Sequence, residues 1–93
     1  MAAKKIVIVD DEESIRKTFF LILNKSYRVY LAKDGAEAQS RFKSTSIDLM
    51  IADYRLPDMN GIELVESLRR NGYGGEVILI SAYADLIEPE VLA

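Results

Sequence analysis

Three short apolar runs in this chain each stop abruptly on a side chain that carries oxygen. Lys5-Ile6-Val7-Ile8-Val9 runs into Asp10 and Asp11, residues 49–52 run into Asp53, and Val77-Ile78-Leu79-Ile80 runs into Ser81. Aliphatic runs of this length without polar alternation suit strands buried on both faces, the condition of a parallel sheet covered by helices. Parallel neighbours need a crossover of a dozen or so residues, normally a helix. The chain is thereby narrowed to an α/β layer fold.

The intervening segments change period as that fold requires. From Glu12 the apolar residues Ile15, Phe19, Ile22 and Leu23 fall at i, i+4, i+7 and i+8, which predicts a first helix with those four on its inner face. Asp11, Glu12 and Glu13 stand at the positive end of its dipole. Residues 24–26 break the pattern, and residues 27–31 predict a second strand closed by Lys33-Asp34-Gly35. A short helix is expected over 36–43, a loop at Ser44-Thr45-Ser46, and a third strand over 47–53. A loop containing Pro57 leads to a helix over 61–70 with Ile62, Val65 and Leu68 inward, ended by a glycine-rich stretch offering positive-φ positions. Residues 77–80 form the fourth strand, and a fourth helix is expected from Tyr83.

Composition bounds what this fold is used for. Ninety-three residues, 49% of them apolar and 29% charged, describe one domain over residues 1–93. The chain has no cysteine, which excludes disulfides and thiolate metal sites, and a cytoplasmic location is the default. The longest apolar run, residues 19–23, cannot span a bilayer. A net charge of −3, with no basic run longer than Arg69-Arg70, argues against direct nucleic-acid binding.

In parallel sheets of this kind, ligands bind outside the carboxyl ends of the strands. Asp10, Asp11, Asp53 and Ser81 all stand there. Each has a plain structural reading: two acids can cap a helix start, and a strand-end serine needs no task. Three carboxylates in one crevice repel, however. At about 5–6 Å and an effective dielectric of about 20, each pair costs about 3 kcal/mol. Such a cluster calls for a cation, and hard oxygen donors in a chain without His or Cys select Mg²⁺, or Mn²⁺ in its place. A carboxylate beside that cation is either a ligand only or a nucleophile toward phosphorus. Ser81 would be the hydroxyl donor to the phosphoryl oxygens. Asp34, Asp48 and Asp58 read as turn-forming acids. Phe19, Phe20 and Phe42 read as core residues. Tyr54 is either a gate over Asp53 or an exposed loop residue.

Val7-Ile8-Val9-Asp10-Asp11-Glu12, Asp48 through Gly61 with its Asp53-Tyr54-Arg55-Leu56-Pro57 core, and Val77-Ile78-Leu79-Ile80-Ser81-Ala82 resemble the signature segments of response-regulator receiver domains of two-component signalling. The resemblance implies a flavodoxin-like three-layer sandwich with a parallel sheet of order 2-1-3-4. It also implies that Asp53 is the phosphoacceptor. Asp10, Asp11 and Asp53 would bind Mg²⁺, with the backbone carbonyl of Arg55 as a further ligand. Ser81 would contact the phosphoryl group and switch the loop that includes Tyr83 and Ala84. Pro57 and Gly61 would shape the loop after Asp53. The partner would be a sensor histidine kinase or a histidine phosphotransfer protein, selected on the first helix around Ile15, Arg16 and Phe19.

One departure from the family pattern is plain. The family's lysine after a fifth strand has no counterpart, since the last lysine here is Lys43. The expectation is a receiver that is incomplete at its C-terminal side, lacking the fifth strand and last helix. An exposed fourth strand then predicts a homodimer or strand exchange. Two other readings stay open: a receiver-like interaction module that is not phosphorylated, and an aspartate-nucleophile phosphatase. The latter usually wants an Asp-x-Asp arrangement and a lysine near the metal.

Overall fold

The computed structural model describes residues 3–44 and 46–81. They form β1 (Lys5–Val9), α1 (Glu13–Leu23), β2 (Arg28–Ala32), α2 (Gly35–Ser44), β3 (Leu49–Asp53), α3 (Gly61–Arg70) and β4 (Glu76–Ile80). All strand pairs are parallel, as the aliphatic runs predict, and the order is β2-β1-β3-β4, as the family resemblance implies. Tyr83, Ala84 and the expected fourth helix lie outside the described residues.

Alternation along each strand divides the core in two. Val7, Val9, Met50 and Ala52 face α2 and α3, where they meet Ala38, Leu64 and Leu68. Ile6, Ile8 and Ile51 face the other way, under Phe19 and Leu23 of α1. Both faces of β1 are thus used, which explains why its sequence has no polar alternation. A fully buried aliphatic side chain of this size contributes about 1.5–3 kcal/mol, so the central strand is the main anchor.

Two helices sit differently from their sequence pattern. On α1, Phe19 and Leu23 are half-buried, while Ile15 (37%), Phe20 (38%) and Ile22 (67%) are exposed. The helix lies over β1 and β2, against Val29 and Leu31, so only one edge of its apolar stripe reaches the sheet. On α3 the deepest residue is Leu64, with Leu68 and Gly61, whereas Ile62 and Val65 are half-buried. The stripe is therefore centred on the 61, 64 and 68 positions.

Element ends follow backbone pairing more than composition. β3 starts at Leu49 because Asp48 serves as a junction: its carboxylate accepts the Lys5 N–H at 2.8 Å and its carbonyl accepts the Glu76 N–H at 3.0 Å. In the turn after α3 only Gly72 takes a positive φ, 95°. That turn is closed by Arg69, which donates to the carbonyls of Tyr73 and Gly75 and lies 5.2 Å from the ring of the buried Tyr73. β4 is the outer strand among the described residues. Its Val77 and Leu79 pack on the core, and Ile78 and Ile80 are exposed.

Candidate functional site

Parallel register brings the strand ends together. Val9 pairs with Ala52, so the next residues, Asp10 and Asp53, emerge side by side at one edge of the sheet. Asp53 pairs in turn with Ile80, which sets Ser81 one residue beyond it on the neighbouring strand. Asp10 is still held by the sheet through its N–H, which donates to the Ala32 carbonyl at 3.0 Å. Its Oδ1 accepts the Glu12 N–H at 2.9 Å, turning the chain toward α1. Glu12, the residue before α1, makes no side-chain cap of its own.

Asp10, Asp11 and Asp53 each present a carboxylate oxygen within 4.8 Å of the others. Asp10 and Asp53 are half-buried and Asp11 is exposed. Burial pushes the Asp53 carboxyl above the usual carboxylate range, and the charges of Asp10 and Asp11 push the same way. The backbone N–H groups of Arg55 and Tyr54 oppose that shift without cancelling it. The donor set is all hard oxygen, and the chain offers no imidazole or thiolate. These residues therefore fit Mg²⁺ or Mn²⁺.

The loop after Asp53 is tied down along its length. Tyr54 donates to the Ile80 carbonyl at 2.8 Å and accepts from Gly61 at 2.6 Å, and Leu56 donates to Met59 at 3.1 Å. Arg55 forms a bridge with Asn60, and its N–H reaches Asp53 Oδ1 at 3.4 Å. Asn60 and Glu63 then cap α3 reciprocally, side chain to backbone. A Cβ on Gly61 would come within 2.9 Å of Leu79 Cδ2, 3.0 Å of the Asp53 carbonyl and 3.2 Å of Tyr54 Cα, so a side chain here requires its neighbours to shift. Tyr54 itself is half-buried.

Two residues with a part in this end of the molecule were not legible as such. Arg16, which the sequence places on a partner-selecting surface, donates from Nη1 to the Asp10 carbonyl at 2.6 Å and is half-buried. Asp58, which reads as a turn acid, accepts the Gly35 and Ala36 N–H groups at 2.9 Å each. The first contact spans six residues at a helix start and matches a helical approach. The second spans more than twenty and leaves no local signal. Asp34 behaves as expected, accepting the Glu37 N–H at 2.8 Å.

A concavity of about 780 Å³ opens at the opposite end of the sheet, beside Tyr27, Ile47, Asp48 and Gly74. The converging acids lie away from it, at the carboxyl ends of the strands.

Comparison with known proteins agrees with this geometry. The family model "Response regulator receiver domain" matches residues 6–91. The chain is 38% identical over 80 residues to the alkaline phosphatase synthesis transcriptional regulatory protein PhoP of Bacillus subtilis, covering 85% of this chain and 33% of that protein. It is 32% identical over 87 residues to sporulation initiation phosphotransferase F of the same species, covering 92% and 70%. A solved structure of response regulator TrrA from Thermotoga maritima in complex with Mg(2+)-BeF superposes with a TM-score of 0.83 at 31% identity, covering 95% of this chain and 77% of that one. The chain also matches the CAI-1 autoinducer sensor kinase/phosphatase CqsS of Vibrio cholerae at 33% identity, but spans only 13% of it. Several relatives are thus much longer than this chain. With its sheet order, its converging acids and these relatives, the chain belongs to the family of response regulator receiver domains.

Proposed function

We propose that this receiver domain accepts a phosphoryl group on Asp53 from a phosphohistidine of a sensor histidine kinase or phosphotransfer protein. The observation that carries the reading is the convergence of three carboxylates within 4.8 Å at the strand ends, with Asp53 the one backed by a fully tied loop. Asp10, Asp11 and Asp53, with the carbonyl of Arg55, would hold Mg²⁺, which neutralises phosphoryl oxygens when bound. The Mg(2+)-BeF complex of the Thermotoga relative supports that assignment.

In the transfer, an Asp53 oxygen supplies the electron pair of a new O–P bond as the P–N bond to the donor imidazole breaks. That bond's electrons leave with the imidazole nitrogen. Asp53 must be ionised to attack, and its raised proton affinity makes it a better nucleophile once it is. Asp10 keeps its orientation through the Ala32 ladder bond and the Arg16 guanidinium. Ser81 directly follows Ile80, the register partner of Asp53, and its hydroxyl would meet the phosphoryl oxygens and pass the change to the segment beyond it. The site makes the chain a signalling module and not a turnover catalyst. No described helix is long and apolar enough to cross a membrane.

The acceptor reading is tested by incubating the chain with Mg²⁺ and acetyl phosphate and measuring intact mass. One phosphoryl group on the wild type and none on Asp53→Asn is expected. No gain on either, beside a second receiver that is modified, would refute it.

A further inference from the structure

The amino end of α2 is capped from a distance. Among its first three N–H groups, Glu37 is satisfied locally by Asp34, but Gly35 and Ala36 donate at 2.9 Å to the two carboxylate oxygens of Asp58, one each. Asp58 belongs to the loop between β3 and α3, more than twenty residues away. A single carboxylate spread over two N–H groups at the positive end of a helix is a charge-assisted bidentate contact. The contact is reinforced by packing. A Cβ on Gly35 would fall 2.5 Å from the Met59 sulfur, so the helix start and the loop tip are fitted against each other.

That loop is the one that carries Arg55. Its two ends are held by Tyr54 on β4 and α3 and by the Asn60–Glu63 cap, and Asp58 is the tie at its tip. We propose that Asp58 is a positioning residue for the acceptor site. By clamping the loop tip to α2 it fixes the loop conformation in which the Arg55 backbone stands beside Asp53, and so sets metal affinity without touching the metal. The inference rests on the acceptor reading above. Residues outside a metal's ligand set that orient the ligands are commonly worth ten- to a hundredfold in affinity.

The test compares Asp58→Ala, Asp58→Asn and Asp34→Ala with the wild type by amide hydrogen exchange and by Mg²⁺ titration followed by NMR shifts. Asp34→Ala removes a cap from the same helical turn but leaves the loop alone. Expected for Asp58→Ala are faster exchange at Gly35, Ala36 and Leu56, and Mg²⁺ binding weakened by about tenfold. Asp58→Asn, which keeps one acceptor oxygen, should fall between, and it serves if the alanine variant does not fold. Asp34→Ala should speed exchange at Glu37 and leave Leu56 and Mg²⁺ affinity unchanged. Wild-type Mg²⁺ affinity in the Asp58 variants, or an equal loss in Asp34→Ala, would overturn the positioning role alone. A wild-type chain that binds no Mg²⁺ would sink the acceptor reading and the positioning role with it.

Discussion

Asp53→Asn should make the metal-free protein more stable. Asp53 faces two other carboxylates within 4.8 Å. At that distance and an effective dielectric of about 20, each pair repels by about 3.5 kcal/mol, or about 7 kcal/mol for two. That is an upper bound, because Asp11 is exposed and Asp53 is open to water on one side. Interactions between exposed charges are measured at about 0.2–1 kcal/mol per pair. Asparagine keeps an oxygen for the Arg55 N–H, a long 3.4 Å contact whose loss would cost little. The net gain should then be about 1–2 kcal/mol, a rise of about 4–8 °C in Tm per kcal/mol for a domain this size. With Mg²⁺ at about a hundred times its Kd, the wild type should gain about 2.7 kcal/mol. Asp53→Asn should gain much less, so the order of stability reverses. Thermal melting in EDTA and in Mg²⁺ reads both arms. An asparagine variant less stable than wild type in EDTA would show that the three acids do not repel, and the argument for a cation would fail.

Acid titration should separate two carboxylates of opposite sign. Because Asp53 has a raised pKa, the folded state holds its proton more tightly, and its penalty on stability appears as pH rises through that pKa. The advantage of metal-free Asp53→Asn should therefore vanish below the usual carboxylate range, and an advantage that persists there contradicts this origin. For Asp58, burial raises the pKa but the Gly35 and Ala36 N–H groups outweigh it and lower it overall. Its stabilising effect should be present at neutral pH and be lost as pH falls through the lowered value, which denaturant melts of Asp58→Asn against wild type across pH would show. Gly61→Ala should cost about 1–3 kcal/mol in denaturant unfolding, since its methyl would press on Leu79, the Asp53 carbonyl and the Tyr54 backbone, which must shift to admit it. A neutral result would mean that the loop has slack. Leu64→Ala should cost about 2–5 kcal/mol by the same measurement, against little for Ile22→Ala on the exposed side of α1.

The parts of the molecule that could be read from the sequence are those set by local periodicity. β1 follows from an aliphatic run that ends on acids and α3 from its helical period, the sheet order was implied by the family resemblance, and the parallel register then brings Asp10, Asp11 and Asp53 to one edge. What periodicity does not encode is where a helix axis lies over the sheet. Ile15 and Ile22 repeat as core residues should, yet α1 sits over β1 and β2 and leaves them exposed. Strand starts were misplaced by one or two residues, since Glu76 joins the ladder despite its charge while β3 begins only after Asp48, which is spent joining Lys5 and Glu76. The Asp58 contact was invisible because an acid after a proline in a loop has the same local signature whether it faces water or a helix start twenty residues away.

The claim that Asp53 is the acceptor is tested most directly by locating the phosphoryl group. The chain is phosphorylated in Mg²⁺, reduced with borohydride, which converts an aspartyl phosphate to homoserine, and sequenced by tandem mass spectrometry. Homoserine at position 53, and aspartate at positions 10 and 11, is the predicted result. Homoserine at Asp10 or Asp11, or a stable phosphate on Ser81 with Asp53 unchanged, would contradict it.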